Sequence, residues 1–179
     1  MSRMRAYFFL SLLFLLCLPV WLAAQQIQIK TSPSLQRLMR PAGYIFAGTV
    51  QAIAYEPATI PGEVPTVRIT FRVEQGLRGT QAGTSLTIRE WAGLWNAGER
   101  YHTGERVVLF LYPVSKVGLT SPVGASQGRF SVDPSGRVIL DREQASMISA
   151  LEPRMKILQG RIHLRDFTRA VRRRLLEEE

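Results

Sequence analysis

The chain has 179 residues, 23 lysines and arginines against 14 acidic residues, and a single cysteine. Its length suffices for one domain with a substantial hydrophobic core. A single cysteine excludes an intrachain disulfide framework, so core packing alone must hold the fold together.

The first 24 residues predict a cleavable signal peptide. Arg3 and Arg5 give a positive start, the segment 7–18 is almost entirely apolar, and small residues precede a predicted cleavage site after Ala24. The apolar run is shorter than the roughly 20 residues of a transmembrane helix, and an uncleaved anchor is the alternative. Cleavage removes Cys17 together with the two arginines, which lowers the formal net charge from +9 to +7. We therefore expect a secreted or periplasmic protein whose mature form has no thiolate chemistry.

The mature chain begins with a lead and a short helix over residues 25–43. Ser34 can cap this helix, which ends before the following proline. A long strand is predicted over 44–55, and Gly48 within it indicates a bend or bulge of the kind that a barrel corner needs. The segment 56–65 contains three prolines and a glycine, so we predict a loop.

Several further strands follow this loop. Residues 66–74 alternate between apolar and polar side chains, so one face of that strand is buried and the other is solvated. Residues 85–91 alternate in the same way. The segment 106–112 is apolar on both faces, as in a central strand. Residues 133–136 predict a type I turn that joins two short strands in a hairpin.

The periodicity becomes helical after residue 140. Asp141 can cap a helix that runs to Leu151, and the apolar residues from Leu164 to Leu175 recur at helical spacing. We therefore expect a helical segment, 141–179, that packs against the strands.

The strand pattern predicts a mainly β fold. The number and spacing of the strands indicate a small closed OB-like β-barrel of five to six strands over residues 44–140. A short N-terminal helix and one or two C-terminal helices complete the predicted domain.

Four stretches of these strands share a pattern with a known family. They are FAGTV at 46–50, ITFRVE at 69–74, LRGT at 77–80 and GERVVLF at 104–110. They resemble the netrin-like barrel, the OB-type fold of the tissue inhibitors of metalloproteinases and their bacterial relatives. The resemblance covers roughly residues 44–112 and implies the fold and export. The animal inhibitors chelate a protease zinc through an N-terminal cysteine, which has no counterpart in this mature chain.

The loop after the third predicted strand is the candidate partner-binding site. It brings together Trp91, Trp95, Arg100, Tyr101 and His102. Tryptophan, tyrosine and arginine are the usual anchors of binding surfaces, because they bury much area and still offer a polar tip. The alternative, and the commoner structural role, is that the aromatic side chains fold back and plug the end of the barrel.

The sequence contains no catalytic or metal-binding constellation. His102 and His163 lie 61 positions apart, and a zinc site would need more ligands around one of them. Ser121, Ser126 and Ser131 have no histidine nearby to act as a base. We therefore expect neither an enzyme, nor a cofactor, nor a metal.

The last predicted helix carries Arg165, Arg169, Arg172 and Arg173 opposite its apolar residues. Such a basic amphipathic helix can contact anionic lipid, which would make peripheral membrane contact possible. The simpler interpretation is a helix packed on the barrel with a solvated arginine face. Export argues against nucleic acid as the partner.

We predict an exported, non-catalytic protein-interaction module, with a protease-type partner among the candidates. The alternative is a carrier of a small ligand or glycan that uses the barrel mouth near Trp91 and Trp95. A deep pocket lined by these aromatic residues would favour the carrier, and a plugged barrel end would favour the module.

Overall fold

The computed structural model describes residues 34–96, 100–153 and 155–177. The predicted signal peptide, 1–24, lies outside the described residues, as does most of the lead that follows it. The seven strands are β1 (Tyr44–Glu56), β2 (Thr66–Arg78), β3 (Ser85–Trp91), β4 (Arg106–Leu111), β5 (Arg129–Val132), β6 (Arg137–Ile139) and β7 (Arg161–His163). The helices are α1 (Leu35–Met39), α2 (Ala92–Asn96), α3 (Arg142–Leu151) and α4 (Leu164–Glu177), with a 3₁₀ turn at Ala125–Gly128.

The strands form one antiparallel sheet in the order β3-β2-β1-β4-β5-β6-β7. This confirms the predicted mainly β class, but the predicted closed barrel of five to six strands does not appear. The sheet has seven strands, and its outer strands β3 and β7 do not pair with each other within the described ranges. The physical reason lies at β5, whose second edge pairs with β6 through Val132 and Val138 and is therefore not available to β3.

The half of the sheet that contains β3, β2, β1 and β4 is nevertheless strongly curled. The segment after β4 reaches β3, where the Thr120 N–H donates a hydrogen bond of 2.9 Å to the Arg89 carbonyl. These two residues belong to parts of the chain that three strand pairings separate in the sheet. The curled half therefore encloses a concave face.

The curl depends on irregular pairing between β1 and β2. Their register shifts at three places, one of them between Ala47 and Gly48. A Cβ atom on Gly48 would lie 2.6 Å from the Arg72 carbonyl oxygen, so the close approach of the two strands requires glycine. The predicted bulge at Gly48 is confirmed.

The core has two parts because β4 buries both of its faces, as predicted for a central strand. Val108 and Phe110 point to the side covered by α1, α3 and α4, which we call the helix-side core. Val107 and Leu109 point into the concave face, which we call the concave core. Both parts contain edge-to-face aromatic pairs. Phe46 and Phe71 form one in the concave core, with centroids 5.3 Å apart, and Phe110 and Phe130 form one in the helix-side core.

The helices α1, α3 and α4 lie where they were predicted, but the Ser34 side chain makes no capping hydrogen bond to α1. Asp141 caps α3 through a capping box with Gln144, and the apolar face of α4 packs into the helix-side core. β2 continues past its predicted end at residue 74 as far as Arg78, and two further elements differ from the prediction. The predicted loop after β3 begins with the short helix α2, and β7 continues the sheet where no strand was predicted. β7 has only three residues, too few to show an alternation in the sequence.

Candidate functional site

The five predicted site residues lie at one end of the sheet but do not form one surface. Tyr101 is only 3% exposed, whereas Trp91 is 48% exposed. Trp95 is half-buried against the concave core, and Arg100 and His102 are exposed. The structure therefore brings Trp95, Arg100 and Tyr101 together and leaves the other two residues facing solvent.

Tyr101 fills the end of the concave face. Its ring contacts Phe71 edge to face, with centroids 5.7 Å apart, and it packs against Trp95 at 6.0 Å. The side chain thus occupies the position that the alternative interpretation assigned to a plug. Trp95 covers Tyr101 from outside and belongs to the same packing unit.

A buried carboxylate holds these two aromatic residues in place. Glu90, only 1% exposed, accepts a hydrogen bond from the Tyr101 hydroxyl at 3.2 Å and one from Trp95 Nε1 at 3.4 Å. A buried carboxylate without partners is costly, so each donor contributes to the stability of the arrangement. The sequence contained a usable signal for this role, since Glu90 falls on the apolar side of the alternating strand β3.

Arg129, the first residue of β5, completes the network. Its guanidinium lies 4.3 Å from the centroid of the Tyr101 ring, within the range of a cation–π contact. It also donates to the Arg100 carbonyl and to Glu105, both at 2.8 Å. Sequence reasoning missed Arg129, because no local pattern indicates that β5 passes beside this loop.

Trp91 lies on the other face of β3, the face exposed to solvent. Its indole ring covers Gly93, where an added Cβ atom would lie only 2.3 Å from the ring. The indole thus lies against Gly93 while 48% of Trp91 stays exposed, so it presents an aromatic surface to solvent.

A cavity of about 270 Å³ opens where the β1–β2 ribbon meets α2. Ligand pockets typically enclose about 300–1,000 Å³, so this cavity lies just below that range and has room for one large side chain. Trp95 and Arg100 line it, and Trp91 does not. The lining residues are Ile53, Tyr55, Pro65, Val67, Ala92, Trp95 and Arg100.

Several exposed apolar side chains lie at the same end of the sheet as this cavity. Tyr55 is opposite Val67 in the β1–β2 pairing, and Trp91 is opposite Thr66, so they occupy the same end of the sheet. The connecting loop adds Ile60 and Val64, both of which are also exposed. We call the cavity and the four exposed apolar residues at this end of the sheet the ribbon-end surface, although Tyr55 and Trp91 lie on opposite faces of the sheet: Tyr55, Ile60, Val64 and Trp91.

Ion pairs on the outer face stabilise the same end of the ribbon. Glu56 accepts a hydrogen bond from the Thr66 hydroxyl at 3.0 Å and pairs with Arg68 and Arg89 at 2.8 and 3.0 Å. These contacts hold the pKa of Glu56 below its usual value, with the Thr66 hydrogen bond as the largest cause. The carboxylate therefore stays charged and neutralises part of the local positive charge.

Glu74 makes a second such arrangement at the bulge near Gly48. Burial raises its pKa, but hydrogen bonds from the Thr49 hydroxyl and from Arg106, both of 2.7 Å, outweigh this effect. The pKa of Glu74 consequently lies below its usual value.

The structure places His102 in solvent, with Nδ1 3.8 Å from a carboxylate oxygen of Glu105. Within the described part of the chain, no three histidine, cysteine or acidic residues lie close enough together to hold a metal ion. No helix in the described ranges is both long and apolar enough to cross a membrane.

The basic face of α4 lies on the surface, because the opposite face packs into the helix-side core. Arg169 pairs with Asp166 at 3.4 Å, and Arg173 pairs with Glu152. The other two arginines of the predicted basic face are exposed. Neighbouring acids therefore neutralise part of this face.

The chain matches no known protein family, and no curated protein sequence matches it.

Proposed function

We propose that the protein is an exported, non-catalytic interaction module that binds another protein through the ribbon-end surface. The observation that carries this proposal is the cavity of about 270 Å³, which exposed Tyr55 lines, together with further exposed apolar side chains at the same end of the sheet, among them Trp91. Clustered exposed apolar residues mark interaction sites, and aromatic residues supply most of the binding energy in such sites.

The Glu90 network supports this role indirectly. By holding Tyr101 and Trp95 in place, it fixes the backbone that carries Arg100 at the rim of the cavity. A preordered surface loses little conformational freedom when a partner binds, and affinity rises accordingly.

We further propose a netrin-like, OB-type architecture for the curled half of the sheet. The OB fold is a partly open barrel, and the bulge at Gly48 and the contact of Thr120 with β3 are compatible with that form. A protease-type partner follows from the resemblance alone. Without a cysteine in the predicted mature chain, its binding would not use zinc chelation by an N-terminal cysteine.

Export is proposed from the signal-peptide pattern in residues 1–24. Mass spectrometry of the natural protein should find an N-terminus at or near Gln25 in an envelope or secreted fraction. An intact Met1 in the cytoplasmic fraction would contradict export.

A small-ligand or glycan carrier is the second candidate. The lining of the cavity by Trp95 and Tyr55 favours it, whereas the volume of about 270 Å³ lies just below that of typical ligand pockets. Tyr101 already fills the neighbouring part of the concave face, which leaves little depth for a ligand.

The test compares partner capture by variants of the tagged protein in the envelope fraction of its own cells. Trp91→Ala and Tyr55→Ala should each weaken capture by about 2 kcal/mol, or roughly thirtyfold, as interface anchors do. Val117→Ala, an exposed apolar residue in the loop after β4, is the matched control and should leave capture unchanged. Equal capture by all three variants would refute the proposed surface.

A further inference from the structure

We infer that the partner contributes an extended segment that pairs with the free edge of β1, inserts an apolar side chain into the ribbon-end cavity and offers a carboxylate to Arg100. This inference rests on the proposed function and specifies the chemistry of the partner. Three independent features of the structure support it: the edge, the cavity and the charge.

The free edge of β1 begins where its pairing with β4 ends. β4 pairs with β1 only from Tyr44 to Thr49, and Val50 then exchanges two backbone hydrogen bonds with the residues just before β4, at 2.8 and 2.9 Å. Beyond Val50, no strand in the described ranges pairs with this edge, although β2 continues along the other edge as far as Glu56. Alternate residues of this stretch thus direct N–H and C=O groups away from the sheet.

The edge is regular from Ala52 onward and carries neither proline nor lysine. The last register shift lies between Val50 and Ala52, and the pairing with β2 runs without a shift from there to Glu56. The stretch from Ala52 to Tyr55 contains no proline or lysine, the residues that commonly block unwanted pairing at sheet edges. An extended segment can therefore add to it as a further strand.

The cavity lies on the side where such a strand would place a side chain. Ile53 and Tyr55, two positions apart on β1, both line it. Alternate side chains of an added strand would face the same side of the sheet as these two residues. One of them would enter the cavity, whose volume suits a single large apolar side chain.

Arg100 defines the preferred charge. It lines the cavity and is exposed, and its Nε donates to the Trp95 carbonyl at 3.1 Å, which fixes the guanidinium. It has no acidic partner among the residues that the structure describes. Glu56, at the end of the edge, is already paired with two arginines and does not add net repulsion. An acidic residue next to the inserted side chain would therefore complete the site, because arginine binds carboxylates in bidentate geometry.

The experiment selects linear peptides from a random displayed library on the purified protein expressed from its full sequence. Enriched peptides should share a large apolar residue with an acidic residue close to it. Synthetic copies are then methylated at alternate backbone amides in one of two phases, either at the odd-numbered or at the even-numbered positions of the peptide. Methylation in the phase that faces β1 should weaken binding at least about tenfold, and methylation in the other phase should have little effect.

Variants of the protein locate the peptide. Tyr55→Ala and Arg100→Glu should each weaken binding of the same peptides at least about tenfold. Arg165→Glu, which changes an exposed arginine on α4, is the matched control for charge and should have no effect beyond about twofold. Amide hydrogen exchange at Ile53 and Tyr55 should slow when the peptide binds.

Three results would overturn the inference: no enriched peptide, equal effects of the two methylation phases, or a dimer of this chain that the peptides dissociate. If the captured natural partner still depends on Trp91 and Tyr55 in any of these cases, only the extended-segment inference fails. If capture is also independent of both residues, the proposed function fails with it.

Discussion

Truncation of Tyr101 should destabilise the fold, although this residue belongs to a connecting segment and to a set of candidate binding residues. It is 3% exposed and packs edge to face on Phe71, so Tyr101→Ala removes a buried ring from the concave core. Truncation of a large buried aromatic residue costs about 3–5 kcal/mol. The variant also deprives the buried Glu90 of a hydrogen-bond donor, which places the expected loss toward the upper end of that range.

Two further variants separate the contributions of the ring and the hydroxyl. Tyr101→Phe keeps the ring and removes only the donor to Glu90, so we expect a loss of about 1–3 kcal/mol. Trp91→Ala truncates an aromatic residue that is 48% exposed and should cost less than about 1 kcal/mol. Urea unfolding followed by far-ultraviolet circular dichroism measures all three free energies of unfolding.

The assignment of Tyr101 to the core would be wrong if Tyr101→Ala and Trp91→Ala lowered the free energy of unfolding equally. It would also be wrong if Tyr101→Ala left the urea midpoint unchanged. In either case the ring would contribute to a surface, and the candidate site would have to be redrawn around it.

Three other predictions test the fold. Phe71→Ala should lower the free energy of unfolding in urea by about 3–5 kcal/mol and Arg72→Ala by less than about 0.5 kcal/mol, because the two residues lie on opposite faces of β2. Equal losses would contradict the assigned register. Gly48→Ala should cost about 1–3 kcal/mol, since its Cβ would meet the Arg72 carbonyl, and an unchanged melting temperature would refute the close approach. Glu74 has a lowered pKa, so its contribution to stability is complete above its unfolded-state value of about 4.3 and is lost as pH falls through the lower folded-state value. The stability difference between the parent and Glu74→Gln should therefore shrink on acidification below about pH 4; a constant difference would refute this linkage.

The network around Glu90 links the core to the proposed binding surface. Tyr101 is part of the concave core, while Arg100, its neighbour in the chain, lies exposed at the rim of the cavity. Arg129 joins the two through its cation–π contact with the Tyr101 ring and the hydrogen bond that it donates to the Arg100 carbonyl. Changes in Glu90 or Arg129 should therefore affect both stability and the geometry of the surface, which is why binding variants are better chosen at Trp91 and Tyr55.

Local pattern was sufficient for most of the secondary structure. The strands β1 to β6 and the helices α1, α3 and α4 lie close to their predicted ranges, because strong alternation, helical spacing and turn residues each have a local physical cause. The bulge at Gly48 and the two buried faces of β4 were predicted for the same reason. Each depends on residues that are neighbours in the sequence.

Whether the sheet closes into a barrel could not be predicted from local sequence patterns. Whether β5 pairs with β3 or with β6 depends on competition between strands that are distant in the sequence. The short strand β7 pairs with β6 just before α4 begins. It thereby extends the sheet beyond β5 and β6, away from β3. Three residues at the end of a turn carry no periodic signal, so the open form of the sheet was decided by tertiary pairing.

The division of the candidate site was also a tertiary outcome. Composition alone identified a segment rich in tryptophan, tyrosine and arginine and offered two roles for it, anchor or plug. Which of these side chains is buried depended on Glu90 and Arg129, one on the buried side of β3 and the other on a strand that comes later in the chain. Burial of a carboxylate requires donors to converge on it from several elements, and only the folded chain brings them together.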